Sequence, residues 1–166
     1  MQTKKISTLM VMIMVIIMIL AQACQQTFDQ PAGSGGWLTG DVNEKFETVT
    51  EHLGGFGKAM WEVDYRFQEL YWAGKDNNWE YAEHQLEEME ETLELGLERR
   101  PERAASAQQF MASAIPDLLE AIEARDPEMF DRRVNVLMNT CNSCHALEDM
   151  PFLTVKPPVD RRSSIR

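Results

Sequence analysis

From Phe130 onward the chain carries one seam: Phe130, Val134, Leu137, Cys141 and Cys144/His145, spaced three and four residues apart. That spacing puts every member on one face of an α-helix. Asp126-Pro127 opens the stretch with an N-cap acid and a proline at the first helical position. Glu128 supports the positive end of the helix dipole. The seam therefore commits the C-terminal part of the chain to a helix. That helix turns two cysteines and a histidine toward the core rather than toward solvent.

Cys141-Asn142-Ser143-Cys144-His145 reads C-x-x-C-H, the attachment signature of c-type haem. Each sulfur adds across one haem vinyl group to give a thioether, and the histidine ligates the iron from one face. Positions i, i+3 and i+4 share a helix face, so all three side chains reach one macrocycle. Two other chemistries use a bare C-x-x-C. A thioredoxin-like redox pair needs a βαβ context, and no strand run precedes this one. A zinc site wants a fourth N or S ligand, usually from a second Cys/His pair, and none lies nearby. The expected cofactor is one covalently attached haem c.

At 166 residues the chain is long enough for one domain with a real core. Its net charge of −11 argues against nucleic acid, which needs a basic patch, and suits a cationic redox partner. The same acidity also describes a plain solvated surface.

Residues 1–23 read as a secretory leader. Lys4 and Lys5 form the basic start, residues 9–20 are an unbroken apolar run short for a membrane span, and Ala21-Gln22-Ala23 is a cleavage signal. Cys24 then stands where a bacterial lipoprotein carries its lipid, although Leu20 is four rather than three residues before it. Two products are open: a protein anchored to the membrane through a lipid on Cys24, and a soluble one with a free N-terminal thiol. Either way the chain is expected to be exported to the periplasm, where c-type haem is attached. Residues 24–40, with Pro31, Gly33, Ser34, Gly35 and Gly36, read as a flexible tether.

Residues 41–148 read as the haem-binding segment. A short helix over 42–53 carries Phe46, Val49 and Leu53 and is interrupted by Gly54, Gly55 and Gly57. The first long helix spans 58–73, with Met60, Asp64, Phe67 and Tyr71 on one stripe and Gly74 ending it. The second spans 79–98 on the seam Trp79, Ala82, Leu86, Met89, Leu93 and Leu97, with its glutamates largely on the wet face. The third spans 103–125, with Phe110, Ala114, Ile115, Leu118 and Ile122 inward and a kink or a split expected at Pro116. The fourth carries the haem motif. Residues 149–166 form an extended tail: Pro151, Pro157 and Pro158 forbid helix, Phe152, Leu153 and Val155 lie near the haem edge, and residues 161–164 look disordered.

Four helices joined by short turns predict an all-α, antiparallel four-helix bundle with the haem site at the end of the last helix. Over about residues 58–148 this resembles cytochrome c′ and the cytochrome b562-like bundles. The stretch Glu69-Leu70-Tyr71-Trp72-Ala73-Gly74 with Asn78-Trp79, and Pro151-Phe152 after the motif, is also similar to an uncharacterised family of exported bacterial cytochromes. The proline-rich tail after His145 departs from cytochrome c′, whose haem helix runs nearly to the end.

The sixth iron ligand separates the functions such a chain can have. In an antiparallel bundle Met60 lies at the haem end, and the cytochrome b562-like resemblance implies a methionine ligand there. His52 is the rival, while His84 falls off its seam and Met89 and Met111 read as core. Met60 ligation implies a monohaem electron carrier. An open sixth position implies a cytochrome c′-like binder of nitric oxide or carbon monoxide. A third possibility is a structural helical lipoprotein whose cysteines bind zinc or form a disulfide. No nucleophile elbow, phosphate loop or H-E-x-x-H is present, so no enzyme activity is expected.

Overall fold

The computed structural model describes residues 10, 12–20 and 29–165. Lys4, Lys5, the expected cleavage signal at 21–23 and Cys24 lie outside the described residues. Residues 12–20 of the apolar run are helical, and no helix among the described residues is long and apolar enough to cross a membrane. The fold is all-α: the described residues contain no strand, and one isolated backbone bridge joins Ala32 to Leu38. Two compact units divide the chain, Met1–Gly54 and Gly55–Arg166.

In the first unit, α1 (Val42–Leu53) starts from a capping box. The Glu44 N–H donates to Asp41 Oδ1 at 3.0 Å, and the Asp41 N–H donates to Glu44 Oε2 at 2.8 Å. Ahead of it the chain doubles back, with Ala32 and Leu38 exchanging backbone bonds of 2.8 and 3.0 Å. The stretch read as a tether thus contains a closed turn.

In the second unit, α2 (Phe56–Lys75) and α3 (Trp79–Arg99) pack antiparallel across a three-residue turn. The seam of α3 holds as expected: Trp79, Ala82, Leu86, Met89 and Leu93 are buried. On α2 the buried positions are Ala59, Phe67, Glu69, Leu70, Ala73 and Gly74. Asp64, expected on the inward stripe, is exposed and accepts from Gln68 Nε2 at 2.7 Å. An unpaired carboxylate is costly to bury, so Asp64 stays at the surface, while Phe67 of that stripe and Leu70 beside it are buried as expected.

Gly74 does not end α2 either. It lies inside the helix and is buried, and the left-handed residue is Asn77, at φ 55. The Asn78 N–H reaches back to the Ala73 carbonyl (2.9 Å) and the Asn77 N–H to that of Gly74 (3.1 Å), a Schellman ending. Arg125 (φ 52) and Asp149 (φ 60) hold the same place after the two later helices. No glycine follows those helices, so this pattern of endings was not visible in the residue types.

The third helical stretch starts with the 3-10 turn Pro101–Arg103. It runs on as α4 (Ala104–Gln109), a π turn (Phe110–Ala114) and α5 (Ile115–Glu123). Pro116 follows closely on that π turn, and the stretch is divided there into two shorter α-helices, as expected. The π turn just upstream absorbs the proline: the Ile115 N–H bonds to the Phe110 carbonyl, five residues back, and the residues on both sides keep helical dihedrals. The last helix, α6 (Pro127–Leu147), begins with Asp126 Oδ1 accepting from the N–H groups of Glu128 and Met129, both at 3.0 Å. Phe130, Val134 and Leu137 are buried against the core that α2, α3 and α5 share. The tail beyond it is non-helical, as its prolines require. Its end is pinned rather than loose: Arg161 pairs with Asp76 through both guanidinium nitrogens and lies 4.8 Å over the Trp72 ring.

Candidate functional site

Cys141, Cys144 and His145 occupy the last two turns of α6. Both cysteines are free thiols and half-buried, and Cys141 packs against the core. Burial, reinforced by the neighbouring Cys144 sulfur, pushes the Cys141 thiol up to about 12. Burial also raises Cys144; the Ser106 hydroxyl bonding to it pulls the other way, Glu148 raises it and Arg103 lowers it. Near neutral pH both sulfurs are therefore protonated thiols.

His145 is fixed through Nδ1, the ring nitrogen nearer the backbone. Its Nδ1 lies 2.9 Å from the Leu153 carbonyl oxygen. A carbonyl only accepts, so Nδ1 carries a proton, and in the neutral ring Nε2 is the nitrogen with the lone pair. The tail that supplies this carbonyl is held at two points. The Leu153 N–H closes a turn on the Met150 carbonyl at 3.0 Å. Asn142 grips Val155 on both sides of its backbone: Nδ2–H donates to the Val155 carbonyl (3.1 Å), and Oδ1 accepts the Val155 N–H (2.7 Å).

The helix end itself is joined to the rest of the unit by Glu148, the residue that caps α6. Glu148 accepts from the Arg103 guanidinium and the Ser106 hydroxyl. Arg103 in turn lies 5.5 Å over the Phe56 ring, so the start of α2, the turn before α4 and the end of α6 converge. Met60 stands one helical turn beyond Phe56, half-buried and packed against the core. Gly96 of α3 approaches the same corner, where an added Cβ would stand 3.1 Å from Ala59 Cβ and 3.2 Å from the Phe56 ring.

Other expected residues fall elsewhere. His52 belongs to the first unit, its ring edge-on to Trp37 at 4.8 Å. His84 is exposed beside Glu88, as its place off the seam implied. Met89 is core. Of the aromatic residues around α2, Trp79 packs edge-on against Phe130 at 5.9 Å, whereas Trp61 is 80% exposed. Asn142, Arg103, Ser106 and Glu148 carried no signal in the sequence, because their partners are distant in the chain. Glu69 was missed too: it is buried on α2 and accepts from the Tyr81 hydroxyl at 2.8 Å.

Two thiols and an imidazole on one helix face, with Nδ1 already engaged and Nε2 available, are the donor set that covalent haem attachment asks for. Among the described residues no group of three or more His, Cys, Asp and Glu is arranged to hold a metal ion, as a protein zinc site would need. No family model, curated protein or solved structure matches this chain.

Proposed function

We propose that this chain is a monohaem c-type cytochrome that carries electrons in the bacterial periplasm. Its long helices act as an antiparallel four-helix bundle presenting the C-x-x-C-H motif at one end. In this reading Cys141 and Cys144 hold haem c through thioethers, His145 is the proximal ligand through Nε2, and Met60 is the distal ligand. The group, when bound, supplies a one-electron iron couple. The protein's part is to hold and tune it. The carbonyl of Leu153 holds the His145 tautomer and raises the basicity of the ring. A thioether from Met60 favours the reduced state and raises the potential. A membrane tie through Cys24 and a cationic redox partner complete the proposal.

The observation that carries the reading is the bond between His145 Nδ1 and the Leu153 carbonyl, beside two free thiols. A surface histidine needs no such partner, whereas a metal-ligating histidine almost always has one.

The test is an intact mass and an absorption series on protein matured with a haem-attachment system: ferric, ferrous, then ferrous with carbon monoxide. One covalent haem and a low-spin spectrum that carbon monoxide barely changes are expected. A high-spin spectrum that shifts at once would replace electron transfer with the five-coordinate, gas-binding reading. Absence of haem mass would leave a structural helical lipoprotein.

A further inference from the structure

We infer that Asn142, the first variable residue of the C-x-x-C-H motif, is a positioning residue for His145 that acts through the C-terminal tail; the inference rests on the haem reading for its redox consequence. Asn142 and His145 stand three apart on α6, so they share a helix face. From that face each reaches the same short piece of tail, Asn142 at Val155 and His145 at Leu153, two residues apart. The Asn142 amide matches the Val155 backbone donor for acceptor and acceptor for donor, as a neighbouring strand would. Val155 is also half-buried against the core.

Next to Leu153 the tail has few other hydrogen bonds; its far end is pinned separately, by Arg161 on Asp76. It makes no helix, and prolines at 151, 157 and 158 remove three backbone donors. The turn from Leu153 to Met150 anchors one side of the Leu153 carbonyl, and the Asn142 grip anchors the other. Without that grip the carbonyl is free to leave Nδ1. The ring then loses its fixed tautomer and some of its basicity as a ligand. A histidine that donates less electron density to iron leaves the reduced state relatively favoured, so the potential rises.

A purely structural Asn142 would hold the tail without affecting the imidazole, and the experiment separates the two roles. Full-length wild type, Asn142→Ala, Asn142→Asp and Val155→Pro are matured identically. Two quantities are read at fixed pH: the midpoint potential, and exchange of the His145 Nδ1 proton by NMR. In Asn142→Ala the potential is expected to become more positive and the proton to exchange about tenfold faster, the loss of roughly one hydrogen bond. Val155→Pro removes the N–H that Oδ1 accepts, and with it fixes φ at 155, and should shift both in the same direction. Asn142→Asp keeps that acceptor and should fall between wild type and Ala. Wild-type potential and exchange in Asn142→Ala and Val155→Pro would overturn the inference. If wild type carries no haem, the functional proposal fails, and the proton exchange measured in the haem-free chains still decides whether Asn142 positions His145.

Discussion

The ring of Phe130 lies against the bare backbone of Gly74: a Cβ placed there would stand 2.1 Å from both Cε1 and Cζ of the ring. The glycine lets α6 approach α2 closely where Phe130 also meets Trp79 edge-on. Gly74→Ala therefore forces a ring with 1% exposure to move within a packed core. It should cost about 1–3 kcal/mol, as overpacking does, even though alanine favours helix more than glycine. Urea unfolding measures it, and an unchanged midpoint would mean that the Phe130 ring relocates freely.

Arg125 holds a left-handed φ of 52 at the end of α5, a conformation glycine adopts without penalty. Its ion pair with Glu80 lies on the surface, where such pairs contribute little. Arg125→Gly should raise stability by about 1 kcal/mol. A lower melting temperature in the variant would show that the Glu80 pair outweighs the backbone strain.

Glu90 has its carboxyl pushed above the ordinary carboxylate range by partial burial, then by Glu94 and Glu87 on the same helix face. A carboxyl raised in the folded state favours folding when protonated, and that contribution is lost as pH rises through its folded value. At pH 7 it is therefore a penalty, and Glu90→Gln should relieve about 0.2–0.5 kcal/mol for each like-charge pair. Well below the usual glutamate range, at about pH 3, wild type and variant should melt together. A gain that persists unchanged at acid pH would assign it to packing rather than charge.

Met60 is proposed above as the distal ligand. Met60→Ala should lower the midpoint potential and let the ferrous protein bind carbon monoxide, seen in the difference spectrum. An unchanged ferric spectrum in that variant would remove Met60 from the site.

Much of the fold was legible because its signals are local. Asp126-Pro127 marks the start of α6 with an acid and a proline that act within one turn, and the structure uses that acid as a double N-cap. The α3 seam was legible because its members lie a turn apart and face one core. Gly74 misled because a glycine near a helix end serves equally well to stop the helix or to admit a neighbour. Only the position of Phe130, 56 residues away in the chain, distinguishes the two. Pro116 was legible as a division of the third helix, because a proline gives up a backbone hydrogen bond; that a π turn at Phe110–Ala114 would make the division was not.

By itself, then, the order of residues determined an all-helical fold whose last long helix carries C-x-x-C-H at its end, with Cys141 continuing the apolar seam, since helix periodicity and capping depend on neighbours within a few positions. What surrounds that motif was decided by tertiary structure. The Leu153 carbonyl at His145, the Asn142 grip on Val155 and the Arg103–Glu148 pair join residues 8, 13 and 45 positions apart. Polar partners at such separations have no spacing rule. They meet only because packing of the apolar seams brings the tail and the start of α4 to the end of α6.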